Sequence, residues 1–414
     1  MTPEPRPLSK GLPLPSVKEP QADPSAGGGS PGDASRSAEL AGLIRAEIES
    51  HPDGRITFAR FMERALYEPG LGYYRRPADR PTDSGDFLTA PETHAIFGWT
   101  VARRIEAMWE ELGRPRPFSL VEFGAGSGTL ALSILDGLRR HGATGLLEAV
   151  RYAPIESNEY RQADLVRRFE EAGLGRVLVP FGADGQGGAS GNASGGASDG
   201  STDGSTGVVL ANEFVDALPV HRVVSRGGRL LELFVAWRDG FVEVVAEPST
   251  AELEARLADE AVVLAEGQVA EICLGLGEWL RGVAARLTRG YLVAIDYGYD
   301  AAELYGPSRL AGTLLGYRGH RVEENPFADP GLVDLTAHVD FTAVARIAAG
   351  FGFRTVSSTT QSEFLVAAGL EEELRALQAN PDLTLADYTR ARSGIVRMLD
   401  PRHMGKFRVL TMAR

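Results

Sequence analysis

The sequence predicts an α/β protein: a mostly parallel, Rossmann-like sheet with helices on both faces, preceded by helices and interrupted by a β-rich insertion. Three observations predict it. From residue 119 onward, short apolar runs alternate with segments of helical periodicity, the pattern of a sheet whose crossovers are helices. The run from Ser119 to Phe123 meets Gly124, Gly126 and Gly128 before a helix that starts near Thr129, so a strand passes through a tight turn into a helix N-terminus. Acidic residues stand at the ends of other candidate strands, at Glu156, Glu213 and Asp296, and ligands of open α/β sheets lie at those ends.

Glycine at every second position lets the backbone take positive φ and approach a ligand closely, while the helix start offers free N–H groups. Such a turn cradles a nucleotide-like cofactor. The dinucleotide fingerprint G-x-G-x-x-G fails by one position, because the third glycine comes early and Thr129 occupies its place. The spacing G-x-G-x-G behind Glu122 instead resembles motif I of the S-adenosyl-L-methionine (SAM) methyltransferases. The alternative is a turn whose glycines serve packing alone.

A chain of 414 residues, 43% of them hydrophobic, is ample for a large core. Its formal net charge of -13 disfavours nucleic acid as a partner. The single cysteine, Cys273, cannot form an internal disulfide, and no Cys/His cluster suggests a metal. No apolar run approaches a membrane span and the N-terminus lacks the pattern of a signal peptide, so the expected location is the cytoplasm.

Residues 1–36 are rich in Pro, Gly and Ser and read as a disordered tail; Glu4, Glu19, Asp23 and Asp33 argue against a transit peptide. Residues 37–414 form the folded part, opening with a helical segment over 37–113. Its helices run from Ala38 to Ile48, from near Thr57, and over about Ala95 to Leu112. Between them lie Tyr67 to Tyr74 and Gly85 to Glu92, where Asp86 and Glu92 bring carboxylates and Tyr73, Tyr74 and Phe87 offer a wall to a ligand. The alternative for Asp86 and Glu92 is helix capping.

The glycine strand is followed by its helix, Thr129 to Arg140, and by strands at Arg151 to Glu156 and Val177 to Pro180. Glu156, at a strand end beside the glycine turn, is placed to accept the ribose hydroxyls of a nucleoside, with helix capping as the alternative. Residues 183–206 are a low-complexity loop of Gly, Ser, Ala, Asp and Asn whose Asn192 sequon is a chance match. The next strand, Gly207 to Glu213, delivers Asn212, Glu213 and Asp216 to the place where a methyl acceptor would sit. Residues 221–248 read as an inserted antiparallel layer with turns at Gly227-Gly228 and Asp239-Gly240. Helices over Thr250 to Asp259 and Gly277 to Leu287 lead to the strand Gly290 to Gly298. Asp334 to Phe341 opens a helix through about Ala349, and two strands with helices close the chain. His338 reads as hydrogen-bonded structure.

Six stretches then appear in a telling order: Tyr67 to Tyr74, Gly85 to Glu92, Val121 to Leu130, Asn212 to Val220, Ile295 to Gly298 and Asp334 to Phe341. Together they resemble the MidA-like SAM-dependent methyltransferases, the family that includes the mitochondrial respiratory complex I assembly methyltransferase. The resemblance runs from about residue 37 to the end, outside the low-complexity loop. It implies a class I methyltransferase fold with a seven-stranded sheet and SAM as cofactor, held by Gly85, Asp86, Glu122, Gly124, Gly126, Gly128, Glu156 and Asn212. It also implies a protein substrate, with arginine of a respiratory-complex subunit as the favoured acceptor; the sequence leaves the oligomeric state open, a homodimer among the options. Two departures stand out: Ala125 replaces a common proline, which leaves the turn intact, and Thr93-His94 replaces an aliphatic residue and Ser near the acceptor.

Methyl transfer needs alignment of donor and acceptor and exclusion of water, with no covalent nucleophile. Asn212, Glu213 and Asp216 are the catalytic candidates: carboxylates grip a guanidinium bidentately and favour loss of its proton, and Asn212 orients an amine. Capping of the following turn is the alternative for Glu213 and Asp216. Two other functions compete: an assembly factor of the same fold that acts by binding partners, and a nicotinamide oxidoreductase, which the missed fingerprint disfavours.

Overall fold

The computed structural model describes residues 31–76, 89–181, 205–319 and 321–414. The apolar runs pair into a six-stranded sheet in the order Arg354–Thr360, Arg408–Ala413, Leu287–Asp296, Ser205–Asn212, Phe118–Phe123, Val150–Ile155. The last four strands are parallel to one another, and Arg408–Ala413 runs antiparallel to the strands on both sides of it. Val208 to Ala211 are at most 3% exposed, as a strand covered on both faces requires. One face carries Ile96–Glu111, Thr129–Arg140 and Glu159–Glu171; the other carries Leu276–Arg286 and Phe341–Gly350.

The expected seventh strand, Val177 to Pro180, is among the described residues a single parallel bridge between Leu178 and Tyr152, behind a tight helical turn at Gly175–Val177. Val179 still donates its N–H to the Tyr152 carbonyl at 2.7 Å. Pro180 has no N–H with which to extend the ladder.

A second, antiparallel sheet contains Arg55–Thr57, Arg229–Trp237, His221–Arg226 and Val269–Ile272, with Phe241–Ala246 paired to Arg229–Trp237. Its strands from 221 to 246 fall where the inserted layer was expected; Arg55–Thr57 is too short to show a period in the sequence. Leu40, Ile44, Phe58, Phe61 and Met62 pack with Val220, Val235, Val333 and Leu335. The N-terminal helices are thus seated on the insertion, which carries Tyr67 to Arg76 to the mouth of the main sheet.

Three boundaries differ from expectation. The first helix spans Pro31–Ser50 and takes in residues 31–36 of the expected tail, because proline suits a first helical turn and Asp33 complements the helix dipole there. The strand after the low-complexity loop starts at Ser205. Asp334 to Asp340 does not open a helix: Asp334–Thr336 and Val339–Asp340 are strands, and Asp340 caps Phe341–Gly350 by accepting the Ala343 N–H at 3.0 Å. Among the described residues no helix is long and apolar enough to cross a membrane, and no cluster of His, Cys, Asp and Glu is arranged for a metal ion.

Candidate functional site

The glycine turn begins where Gly124 donates its N–H to the Ile155 carbonyl at 2.9 Å, joining two strand ends. Gly124, Gly126 and Gly128 have φ of 70°, 55° and 77°, the left-handed region that side chains disfavour. Their surroundings separate them. A Cβ on Gly128 would lie 3.0 Å from Leu165 and Phe169, so this glycine permits helix packing and does not line the cavity. A Cβ on Gly124 would meet the Phe214 ring at 3.1 Å, and one on Gly126 would meet nothing within 4 Å. Gly126 is therefore the open point of the cradle. Arg168 donates to the Ser127 carbonyl (2.9 Å), Ser127 Oγ (2.7 Å) and Thr129 Oγ1 (2.9 Å), which holds the turn from behind.

Glu156 is buried and accepts the Gly126 N–H at 2.8 Å and the Asn158 N–H at 2.8 Å. Asn158 caps Glu159–Glu171 and also donates to the carbonyls of Tyr74 (2.9 Å) and Arg76 (2.8 Å). The capping role set against Glu156 thus belongs to Asn158. Glu122 is 4% exposed and accepts the Tyr152 hydroxyl at 2.6 Å; burial pushes its carboxyl up to about 8.

On the neighbouring strand, Glu213 has φ 48° and accepts the Ala90 N–H at 3.2 Å and the Asn212 amide at 3.3 Å through Oε1. It caps the short helix Ala90–Thr93, a distant element rather than the turn that follows it. Burial pushes its carboxyl up to about 8. Asp216 is 5% exposed, accepts the Tyr297 hydroxyl through Oδ2, and is pushed by burial up to about 6. Among the described residues, three buried oxygens here have no hydrogen-bond partner: Asn212 Oδ1, Glu213 Oε2 and Asp216 Oδ1.

These residues share one cavity of about 640 Å³. Glu122, Gly124, Gly126, Glu156, Asn212, Glu213 and Asp216 all line it. Tyr67, Tyr74, Tyr297, Tyr317 and Asp334 line it as well. The Tyr67 and Tyr74 rings stack with centroids 5.6 Å apart, and the Tyr74 hydroxyl donates to Asp334 at 2.7 Å. Tyr73 also lines the cavity. Gly85, Asp86 and Phe87 lie outside the described residues. Glu92 lines the cavity and closes a capping box with Thr89, which is its capping alternative.

Tyr67, Asn158, Arg168, Tyr297 and Asp334 escaped the sequence reading as site residues; no local pattern marks them, although Tyr67, Tyr297 and Asp334 sit inside the ordered motifs. Cys273 is pushed up to about 11 by burial and is no thiolate nucleophile. His338, pushed down to about 4 by burial, does not line the cavity.

SAM fits these residues. A cradle opens at Gly126, and a buried acid stands at the adjacent strand end. A family model of S-adenosyl-L-methionine-dependent methyltransferases matches residues 100–359. The Drosophila melanogaster homolog named protein arginine methyltransferase NDUFAF7, mitochondrial, is 30% identical over 90% of this chain and 84% of its own. The Mus musculus protein of that name is 28% identical over 78% and 73%. A Burkholderia thailandensis protein crystallised with S-adenosyl-homocysteine superposes with a TM-score of 0.80 at 32% identity, covering 94% of this chain and 95% of that one. Fold, cofactor cradle and relatives agree, and the chain belongs to the MidA-like family of SAM-dependent methyltransferases.

Proposed function

We propose that this methyltransferase modifies arginine side chains of a protein substrate. The carrying observation is the trio of open oxygens, Asn212 Oδ1, Glu213 Oε2 and Asp216 Oδ1. A guanidinium presents five N–H donors and no acceptor, so three neighbouring open acceptor oxygens suit it. The relatives named protein arginine methyltransferase support the same acceptor, and the family resemblance points to a respiratory-complex subunit as the protein that carries it.

Bound SAM supplies an electrophilic methyl group. Asn212, Glu213 and Asp216 hold the acceptor, while Tyr67, Tyr74 and Tyr297 form walls that exclude water. Burial raises both carboxyls, and an arriving cation reverses this by favouring the charged form. Glu213 or Asp216 would take up the proton that the acceptor nitrogen sheds on methylation.

The test is methyl transfer from isotope-labelled SAM into proteins recovered with the chain, with the modified residue located by mass spectrometry. Label on arginine supports the reading. Label confined to other residues, or partner capture with no transfer, sinks it; the latter favours an assembly factor that acts by binding.

A further inference from the structure

Asp296 is fully buried at the end of Leu287–Asp296 and does not line the cavity. Its Oδ2 accepts the N–H groups of Phe214, Val215 and Asp216 at 3.2, 2.9 and 3.2 Å, and its Oδ1 accepts that of Tyr297 at 2.9 Å. Successive N–H groups converging on one oxygen form a nest for a carboxylate, and they work against the burial and the neighbouring Asp216 and Glu213 carboxyls that together hold its pKa well above the ordinary range. The residues beside Asp296 join the grip. The Ile295 carbonyl accepts the Glu213 N–H at 2.8 Å, and the Tyr297 hydroxyl donates to Asp216 Oδ2.

The strand end 295–297 thus fixes the neighbouring turn from 213 to 216 through backbone and side chain alike. It holds Glu213 in a left-handed conformation that a non-glycine residue adopts only at a cost. It also occupies one oxygen of Asp216 and leaves the other open. We infer that Asp296 is a positioning residue for methyl transfer: by anchoring the turn it aims Glu213 Oε2 and Asp216 Oδ1 at the methyl acceptor.

This inference rests on the guanidinium reading, and the experiment separates the two. The full chain is titrated calorimetrically with two probes, S-adenosyl-homocysteine and a bisubstrate analogue that tethers a guanidinium to the adenosyl group. The ratio of the two affinities reads the acceptor side alone. The wild type binds the analogue more tightly. In Asp296→Asn that advantage falls about tenfold or more, the scale of one lost charge-assisted contact. S-Adenosyl-homocysteine affinity stays within about twofold, and the loss is not additive with that of Asp216→Asn, because both act through one turn. Where Asp296→Asn does not fold, Asp296→Glu keeps the charge, misplaces it by one methylene and shows the same partition. An Asp296 variant that keeps the analogue's advantage, or that weakens both probes equally, overturns the inference. A wild type with no advantage overturns the guanidinium reading, and the inference with it.

Discussion

Glu156 accepts the N–H of Gly126 at 2.8 Å, so the acid assigned to the ribose and the glycine assigned to the cofactor's approach are in direct contact. A carboxylate oxygen has room for more than one donor, and Glu156 can hold the glycine turn while receiving a hydroxyl. Glu156→Ala therefore removes a support of the cradle and, on the ribose assignment, a cofactor contact with it. SAM binding is expected to weaken by about 1.5 to 3 kcal/mol, the range for hydrogen bonds to a charged group. Unchanged affinity in a calorimetric titration would remove Glu156 from the cofactor site.

Two glycines of the same turn should fail differently. Gly126→Val puts a β-branched side chain into open cradle space at a left-handed φ, which disfavours L residues by about 1 to 2 kcal/mol. SAM binding is lost and the fold is kept. Gly128→Ala drives a methyl against Leu165 and Phe169, an overpacking that costs about 1 to 3 kcal/mol of stability. Melting and SAM titration of both variants check this; a Gly126→Val protein with wild-type affinity contradicts it.

Glu122 gives a dependence on pH. Burial raises its folded value to about 8 from an ordinary 4.5. Between those values the unfolded chain releases the proton and the folded chain keeps it. The contribution to stability is fully present below about pH 4.5 and is lost as pH rises toward 8. Glu122→Gln keeps an acceptor for the Tyr152 hydroxyl without titrating. Relative to wild type, its melting temperature is expected to climb from pH 5 to pH 8 and then level off. A difference constant across that range would show that Glu122 is already ionised in the folded protein.

What the sequence made legible was local. The helix Thr129–Arg140 and the strand Val150–Ile155 fall at or within a residue of their expected bounds, because caps, glycines and apolar periods act over a few positions. The three acids Glu156, Glu213 and Asp216 were legible for the same reason: each follows a strand. The hold of Asp296 on the turn was not, since its partners lie 80 to 82 positions away and an acid at a strand end carries no mark of what it binds. Arg168, 41 positions from Ser127, reads in the sequence as one more charge on a helix. Gly128 kept its motif position but serves packing, a distinction that only the neighbouring Leu165 and Phe169 reveal.

The most exacting prediction concerns Glu213. Its Oε1 is engaged by Ala90 and Asn212, and its Oε2 is buried without a partner. Glu213→Gln can keep the first oxygen where it is and place an amide NH₂ where the second stood. The contact to Ala90 survives, so melting temperature and SAM affinity stay close to wild type. The acceptor side then meets a donor where it met an acceptor, and a guanidinium with only donors to offer is turned away. Methyl transfer should fall by about an order of magnitude or more, because a carboxylate that aligns the acceptor contributes mainly in the transition state. If capping of Ala90–Thr93 were the residue's whole role, Glu213→Ala would lower the melting temperature and Glu213→Gln would transfer methyl groups at the wild-type rate. Measuring rate and melting on both variants decides between these outcomes.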